Sequence, residues 1–328
     1  MFRGQRITRM LLEKEEMDHR LLASDHSEWY CIERTAITPY MLNKFHQFCI
    51  DDSMEKFLQN SLETSNSICL QVYYALVTSM LSIALTKTSI NGILGRGGMH
   101  LFSLTQLRKF LDIPPEWVSY DKKLLDLGAG DGRITATMAR LYGTVSVTEA
   151  SKVMEWRLKQ YGFTIVPMDT WHQSGTYHLV SALNLLDRHH SPTLLLDQLH
   201  SLTLRSNSLL LLAVVLPLHQ YVEFHPTERT NQPDIHSYFF PDTKILVNGE
   251  TFEEQAGSLV VDVLEPAGFE LVKWSKLPYL SEGDFGGPVY HLDDAVFLLK
   301  PKNTSSTGSI FSALSSQNSI FSRDFTSL

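Results

Sequence analysis

Cysteine and positive charge are both scarce in this chain of 328 residues. The three cysteines, Cys31, Cys49 and Cys69, all lie in the first quarter and lack the spacing of metal ligands. An odd and sparse count indicates free thiols in a reducing compartment rather than a disulfide framework. The formal net charge of −8 at pH 7 disfavours a general nucleic-acid-binding protein, which would carry a basic stripe.

Long apolar runs are also rare. The first 20 residues mix arginines with acidic residues and lack the continuous apolar core of a secretory signal peptide. Residues 68–85 contain no charged residue, and their length of 18 is near the lower limit for a membrane helix. Because polar side chains such as Gln71 and Thr78 interrupt this stretch, we predict a helix buried against protein and no transmembrane segment.

Residues 124–132, which read Leu-Leu-Asp-Leu-Gly-Ala-Gly-Asp-Gly, are the most informative stretch. A predicted strand contains Asp126, three glycines follow at every second position, and a helix-forming run begins at Arg133. Glycine permits the positive φ of a tight strand-to-helix turn, where a ligand can lie against bare backbone. A dinucleotide fingerprint would need glycine in place of Arg133. The spacing resembles instead the first motif of class I S-adenosylmethionine (SAM) methyltransferases, and an ordinary tight turn is the alternative.

Changes of pattern along the chain predict four regions. We expect a poorly ordered N-terminus over residues 1–30 and a helical region over 31–118 that packs on the core. A SAM-binding domain over 119–301 follows, with a long loop excursion at 223–250, and a disordered serine-rich tail over 302–328.

From residue 123 onward, strand-like and helix-like segments alternate, which predicts a doubly wound and mostly parallel sheet. The expected strands cover residues 123–127, 144–148, 164–167, 178–183, 208–216, 269–276 and 293–299. The expected helices cover residues 132–142, 151–161, 192–204 and 251–267. Ligands of such sheets bind at the carboxyl ends of the strands, so polar residues there are the candidate site.

Polar side chains follow the second, third and fourth expected strands. Glu149 stands where an acid binds the ribose hydroxyls in nucleotide folds, and a helix cap is the alternative. Asp169 stands where class I methyltransferases contact adenine. Asn184 and Asp187 are three positions apart in an apolar run, where a polar pair is costly unless it is satisfied. This favours a substrate contact over a simple helix cap.

The chain from about Ser89 to Pro301 resembles one branch of the superfamily, the DREV-type protein-histidine N-pros-methyltransferases. The segments that carry the resemblance are residues 88–97, 124–132, 183–188, 215–217, 277–284 and 292–297. Generic methyltransferases lack the first and fifth of these segments. The resemblance implies a class I, Rossmann-like α/β fold with a doubly wound, mostly parallel seven-stranded sheet and an N-terminal helical region.

The same resemblance implies SAM as the cofactor, S-adenosylhomocysteine (SAH) as the product, and protein or peptide substrates with alternating His-x-His tracts. The methyl acceptor would be the pros nitrogen (Nδ1) of histidine. The implied catalytic residues are Asn184, Asp187 and Tyr290. The cofactor-binding residues, from the loop, the strand ends and the resemblance together, are Arg96, Asp126, Gly128, Ala129, Gly130, Gly132, Glu149, Asp169 and Asn184.

Neutral histidine is a nucleophile at pH 7 without a strong base. The task expected of Asn184 or Asp187 is therefore to accept the Nε2–H hydrogen bond, which leaves the lone pair on Nδ1. No metal, nucleic acid or membrane partner is predicted, and we expect a monomer. Two rivals stay open: a SAM-dependent methyltransferase for another side chain or a small molecule, and an inert scaffold. A cytoplasmic location is the default, and the resemblance leaves the endoplasmic reticulum or mitochondrion open.

Overall fold

The computed structural model describes residues 2–222 and 244–303. Most of the predicted excursion at 223–250 and almost all of the predicted tail at 302–328 lie outside the described residues.

An eight-stranded sheet forms the centre of the molecule. Its strands are β1 (Met99–His100), β2 (Lys123–Leu127), β3 (Thr144–Thr148), β4 (Thr164–Ile165), β5 (Leu179–Leu183), β6 (Leu209–Val215), β7 (Phe269–Asp284) and β8 (Gly287–Pro301). The spatial order is β1-β7-β8-β6-β5-β2-β3-β4. Strands β2 to β6 pair in parallel, whereas β1, β7 and β8 pair antiparallel with their neighbours. The doubly wound, mostly parallel α/β fold is therefore confirmed.

The expected count of seven strands is wrong by one. The additional strand is β1, which pairs Met99 with Ser281 and His100 with Leu280 at the edge of β7. Two residues are too few to show the alternation by which a strand is found in sequence. The antiparallel strands β7 and β8 also continue well past their predicted ends, as one long hairpin.

Ten α-helices are described. They are α1 (Phe2–Ala23), α2 (Pro39–Asn43), α3 (Asp52–Asn66), α4 (Ile68–Leu81), α5 (Lys87–Leu94), α6 (Leu104–Phe110), α7 (Arg133–Ala139), α8 (Lys152–Gln160), α9 (Pro192–Ser206) and α10 (Phe252–Ser258). A π-helical segment, Leu259–Leu264, extends α10. Apolar side chains from the sheet and helices form two buried clusters. Strand β6 supplies both: Leu210 and Leu212 belong to one cluster, and Leu211 and Ala213 to the other.

Helix α1 lies in the region that the sequence analysis predicted to be poorly ordered. Its charges form ion pairs four residues apart, between Arg9 and Glu13 (2.8 Å), Lys14 and Asp18 (2.8 Å), and Arg20 and Glu16 (2.6 Å). Such pairs each support a helix by a few tenths of a kcal/mol. The composition of this stretch suggested disorder, but its opposite charges lie four positions apart, and this spacing favours a helix.

The prediction of a buried helix within 68–85 is correct about the helix and wrong about its burial. Of the residues of α4 only Gln71 is buried, and its Nε2 donates to the carbonyl oxygen of Thr64 (2.9 Å). No helix among the described residues is long and apolar enough to cross a membrane.

Trp274 of β7 joins the N-terminal helical region to the sheet. Its indole Nε1–H donates to the carbonyl oxygen of Met41 (2.8 Å). Its backbone N–H donates to the Lys44 carbonyl (2.9 Å), and its own carbonyl accepts from His46 N–H (2.8 Å). Both Trp274 and Met41 are fully buried, so the chain after α2 is held against the edge of β7.

We expect Trp274→Phe to lower the free energy of unfolding by about 1–3 kcal/mol, because the buried Met41 carbonyl loses its donor. The matched control is Trp156→Phe on α8, where the side chain is 57% exposed and the expected change is within about 0.5 kcal/mol. Urea unfolding followed by circular dichroism measures both. Equal small changes would show that the indole bond does not hold the N-terminal region.

Candidate functional site

The candidate site lies where the order of the sheet reverses. Strand β2 is flanked by β3 on one side and β5 on the other, so the connections after β2 and β5 leave in opposite directions. A crevice opens at the carboxyl ends of the strands at such a point. The glycine turn, residues 128–132, follows β2 at this crevice.

The glycine turn adopts backbone angles that favour glycine. The φ of Gly130 is +56° and that of Gly132 is +83°, in the left-handed region. A Cβ on Gly132 would also lie 2.9 Å from a methyl carbon of Leu158 on α8. The turn can therefore pass close to α8 only with glycine at this position.

Two side chains at the end of β3 hold the turn in place. The Gly130 N–H donates to Glu149 Oε2 (2.9 Å), and the Gly128 N–H donates to Thr148 Oγ1 (3.2 Å). The other Glu149 oxygen, Oε1, accepts from Ser151 N–H (2.9 Å). The side chain that caps α8 is that of Ser151, so the carboxylate of Glu149 is fixed beside the turn.

Asp126 lies beneath the turn rather than on its surface. Its buried carboxyl accepts hydrogen bonds from Thr135 Oγ1 of α7 (2.6 Å) and Ser181 Oγ of β5 (2.7 Å). Burial raises the pKa of Asp126 from 3.8 to about 6, although both hydroxyls act to lower it. Through this carboxyl, β2 is joined to α7 and to β5.

A cavity of about 650 Å³ opens onto the turn. A smaller one of about 40 Å³ adjoins it next to Asp126 and residues 128–131, Ala129 included. The larger cavity is lined by residues from the turn and from the loops after β3, β4 and β5, and by part of α5: Gly128, Gly130, Thr148, Glu149, Met168, Trp171, Asn184, Arg188, Thr88 and Ser89. Its volume is within the range of small-molecule sites.

Asn184 closes one wall of this cavity with a strained backbone. Its φ is +53°, a conformation that asparagine tolerates better than most residues. Its Nδ2 donates to Asp294 Oδ2 of β8 (2.7 Å), and its backbone N–H donates to the Ala213 carbonyl (2.9 Å). The Oδ1 atom is buried and accepts no hydrogen bond from any residue that the structure describes.

Asp294 is the functional candidate that the sequence analysis missed. It is fully buried, and burial raises its pKa well above the usual value of an aspartate. The one signal in the sequence is an acidic pair, Asp293 and Asp294, directly before the apolar run of β8. That signal does not reveal a contact with Asn184, 110 positions earlier in the chain.

Asp187 is buried beside the cavity but does not line it. Its Oδ2 lies 3.6 Å from Nε of Arg188. Arg188 does line the cavity, and its guanidinium lies over the ring of Tyr279, 6.0 Å from the centroid. Next to it, His189 also lines the cavity, and burial lowers its pKa to about 4. The structure therefore brings Asn184 to the wall and places Asp187 against Arg188.

Four other predicted residues do not line either cavity in the described part of the chain. Arg96 donates from Nε to Asn91 Oδ1 (2.9 Å), Tyr290 donates to Asp284 Oδ1 (2.9 Å), and Asp169 is exposed. Gly132, the last residue of the turn, is the N-cap of α7. Their direct roles in binding or catalysis stay predictions. Within the described residues, no group of three or more His, Cys, Asp or Glu side chains could hold a metal ion.

The doubly wound, mostly parallel sheet, with the antiparallel strands β7 and β8 beside β6 and the glycine turn at the switch point, matches the fold of class I methyltransferases. More narrowly, the model of the DREV methyltransferase family matches residues 29–301 of this chain. The protein belongs to that family.

Solved structures with a similar fold include two methyltransferases. One is a TehB-like SAM-dependent methyltransferase from Corynebacterium glutamicum, 13% identical, with 71% of this chain and 98% of that chain covered and a TM-score of 0.34. The other is magnesium protoporphyrin IX methyltransferase from Synechocystis with bound SAH, 14% identical, with 61% and 82% covered and a TM-score of 0.36. At this level of identity the likeness says nothing about a substrate.

The raised pKa of Asp126 predicts a pH-dependent stability difference between the wild type and Asp126→Asn. An unfolded aspartate ionises near pH 3.8, whereas the folded carboxyl ionises near pH 6. The wild type thus loses stability as the pH rises between these values, by on the order of 3 kcal/mol, and an asparagine does not.

The measurement is the free energy of unfolding of both proteins at pH 4 and pH 7. Relative to the wild type, Asp126→Asn should have a higher free energy of unfolding at pH 7 than it has at pH 4. Asp121→Asn, which removes an exposed carboxyl, is the matched control. A difference between wild type and Asp126→Asn that does not change with pH would show that Asp126 is ionised in the fold at pH 4.

Proposed function

We propose that this methyltransferase uses SAM as its cofactor and methylates the pros nitrogen (Nδ1) of histidine in His-x-His tracts of protein substrates. The observation that carries the histidine part is Asn184 Oδ1, a buried acceptor without a donor among the described residues, at the wall of the cavity. An imidazole N–H is a donor of the kind that this atom lacks.

The residues around the turn fit SAM. The bare backbone of Gly128 and Gly130 and the fixed carboxylate of Glu149 line one cavity, which suits the hydroxyls of a ribose. The small cavity beside residues 128–131 is our candidate for the methionine end. When bound, SAM supplies an electrophilic methyl group on its sulfonium.

A target histidine needs orientation more than it needs a base, because imidazole is largely neutral at pH 7. A hydrogen bond from its Nε2–H to Asn184 Oδ1 would leave the lone pair on Nδ1. The same bond would stabilise the positive charge that develops on the ring, as a preorganised acceptor does. Holding the ring in one geometry contributes several kcal/mol to a lower barrier in well-oriented reactions.

Asp294 sets which end of the Asn184 amide is offered to the substrate. Its Oδ2 accepts from Asn184 Nδ2, so the amide oxygen is the end that remains available. We therefore assign Asp294 as a positioning residue and Asn184 as the contact residue. Asp187 holds Arg188 in place next to them.

The experiment that tests the function is methyl transfer from labelled SAM to a peptide of His-Ala-His repeats. The control peptide has alanine in place of histidine, and the modified nitrogen is identified after acid hydrolysis. We expect pros-methylhistidine from the first peptide only. Bound SAM without label would favour another methyl acceptor, and absence of SAM binding would favour an inert scaffold.

The role of Asp294 predicts a contrast between two variants. Asp294→Asn keeps an oxygen that can accept from Asn184 Nδ2 and should retain kcat within about threefold. Asp294→Leu removes that acceptor, frees the amide to turn, and should lower kcat at least about tenfold. Because Asp294→Leu also leaves the buried Asn184 Nδ2 without an acceptor, it should lower the free energy of unfolding by about 1–3 kcal/mol, so the stability of both variants is measured.

Three measurements are made on each variant: kinetics with the His-Ala-His peptide, SAM binding by calorimetry, and thermal unfolding. Together they separate an effect on catalysis from effects on cofactor binding and on folding. We expect both variants to bind SAM within a few-fold of the wild type. Equal kcat in the two variants, with folding intact, would remove Asp294 from the positioning of Asn184.

A further inference from the structure

Helix α4 carries apolar side chains on its exposed side as well as on the side that packs against the protein, where Leu70, Tyr74, Val77 and Leu81 are half-buried. The side chains of Ile68, Val72, Tyr73, Leu76, Met80 and, on the turn that follows, Ile83 are exposed, and we call this set the α4 face. Leu76 is 62% exposed, Met80 74% and Ile83 89%. Monomeric proteins rarely expose a continuous apolar patch of more than a few hundred Å², and such patches mark interaction sites.

The spacing on the α4 face is that of a helix–helix seam. Three members of the α4 face, Val72, Leu76 and Ile83, form one stripe with the exposed Cys69 and Ser79. In this stripe the residues 69, 72, 76, 79 and 83 follow one another at alternating intervals of three and four. Intervals of this kind keep one stripe of a helix against a partner helix. Two exposed larger side chains, Tyr73 and Met80, flank the stripe.

The charge pattern favours a protein partner over a lipid surface. No charged residue occurs from Thr64 to Thr86, and helices that lie on a bilayer usually carry lysine or arginine on their polar side. The chain as a whole has a net charge of −8, which would repel an anionic membrane. The uncharged face would not repel a second copy of itself.

The sizes of the side chains are complementary under a two-fold axis. If two copies of α4 lie antiparallel with the axis at Leu76, Cys69 faces Ile83 and Tyr73 faces Ser79 of the other copy. A smaller side chain thus meets a larger one at each of these positions, and Leu76 meets Leu76. Such self-complementarity is what a two-fold interface requires.

We propose that the α4 face is a dimer interface, in which α4 packs antiparallel against α4 of a second copy of this chain. The expectation of a monomer from the sequence is replaced by this proposal. It does not depend on the proposed histidine specificity, since none of the six side chains of the α4 face lines the cavity.

Sedimentation velocity of the full chain at micromolar concentrations tests the proposal. The wild type should sediment as a dimer. Leu76→Glu should raise the dimer dissociation constant at least about a hundredfold, because two carboxylates would meet at the axis. Gln59→Glu, on the exposed side of α3, adds the same charge outside the α4 face and should leave the dimer intact.

Since Leu76 is already exposed in one chain, its replacement should leave the circular dichroism spectrum and the thermal unfolding of the protein unchanged. A wild type that stays monomeric overturns the proposal. So does a monomer that binds neutral lipid vesicles through Leu76, because the face would then serve a bilayer. A dimer that Leu76→Glu leaves intact also overturns it, since its interface would lie elsewhere.

Cysteine cross-linking tests the position of the axis. With all three native cysteines, which are exposed, changed to serine, Leu76→Cys should form a disulfide-linked dimer under mild oxidation. Tyr120→Cys, at an 89% exposed position before β2, is the matched control and should stay largely unlinked. Equal cross-linking of the two variants would overturn the proposed axis.

Discussion

The site depends on one buried carboxyl group. The carboxyl of Asp126, near the end of β2, lies among hydroxyls of two other elements, those of Thr135 on α7 and Ser181 on β5. A buried carboxyl without such donors would be costly. Its hydrogen bonds therefore hold β2, α7 and β5 together at this position. The glycine turn runs between two of them, and its backbone path is thereby fixed from below. Glu149 then fixes it from the side of β3.

On the other side of the crevice, a second buried polar group, the side-chain amide of Asn184, has only part of its hydrogen bonds made. The Asn184 amide is half satisfied: one end is bonded to Asp294 and the other has no donor among the described residues. Around Asp126 the hydrogen bonds make a rigid support, whereas at Asn184 the incomplete set makes a surface that can recognise a donor. Buried polar atoms without partners are uncommon in folded proteins, and each calls for an explanation, such as a bound water, an ion or a ligand. At Asn184 Oδ1 the position on the cavity wall favours a ligand.

The parts of the fold that could be predicted from sequence are those whose signal is local. Strand β2, the glycine turn and β3 follow from an apolar run, three glycines and an alternating segment, and their bounds match the structure. Strand β1 could not be predicted, because its existence depends on the edge of β7, about 180 positions later in the chain. The Asn184–Asp294 contact is of the same kind: β6 lies between β5 and β8, and only the antiparallel return of β8 brings Asp294 to this end of the sheet.

Helix α4 shows why composition alone misjudges burial. Its lack of charge suggested an inward position, yet the side that faces the protein holds Gln71, bonded to the Thr64 carbonyl. The apolar ridge through Leu76 faces outward. The side that faces the protein also carries Leu70, Tyr74, Val77 and Leu81, which are all half-buried. Apolar side chains therefore lie on both sides of this helix, and contacts within one chain cover only one of them. In the dimer that we propose, a second copy of α4 covers the outer side. A helix that is apolar on both sides is typical of one that is covered on both sides, and the proposed dimer supplies the second cover.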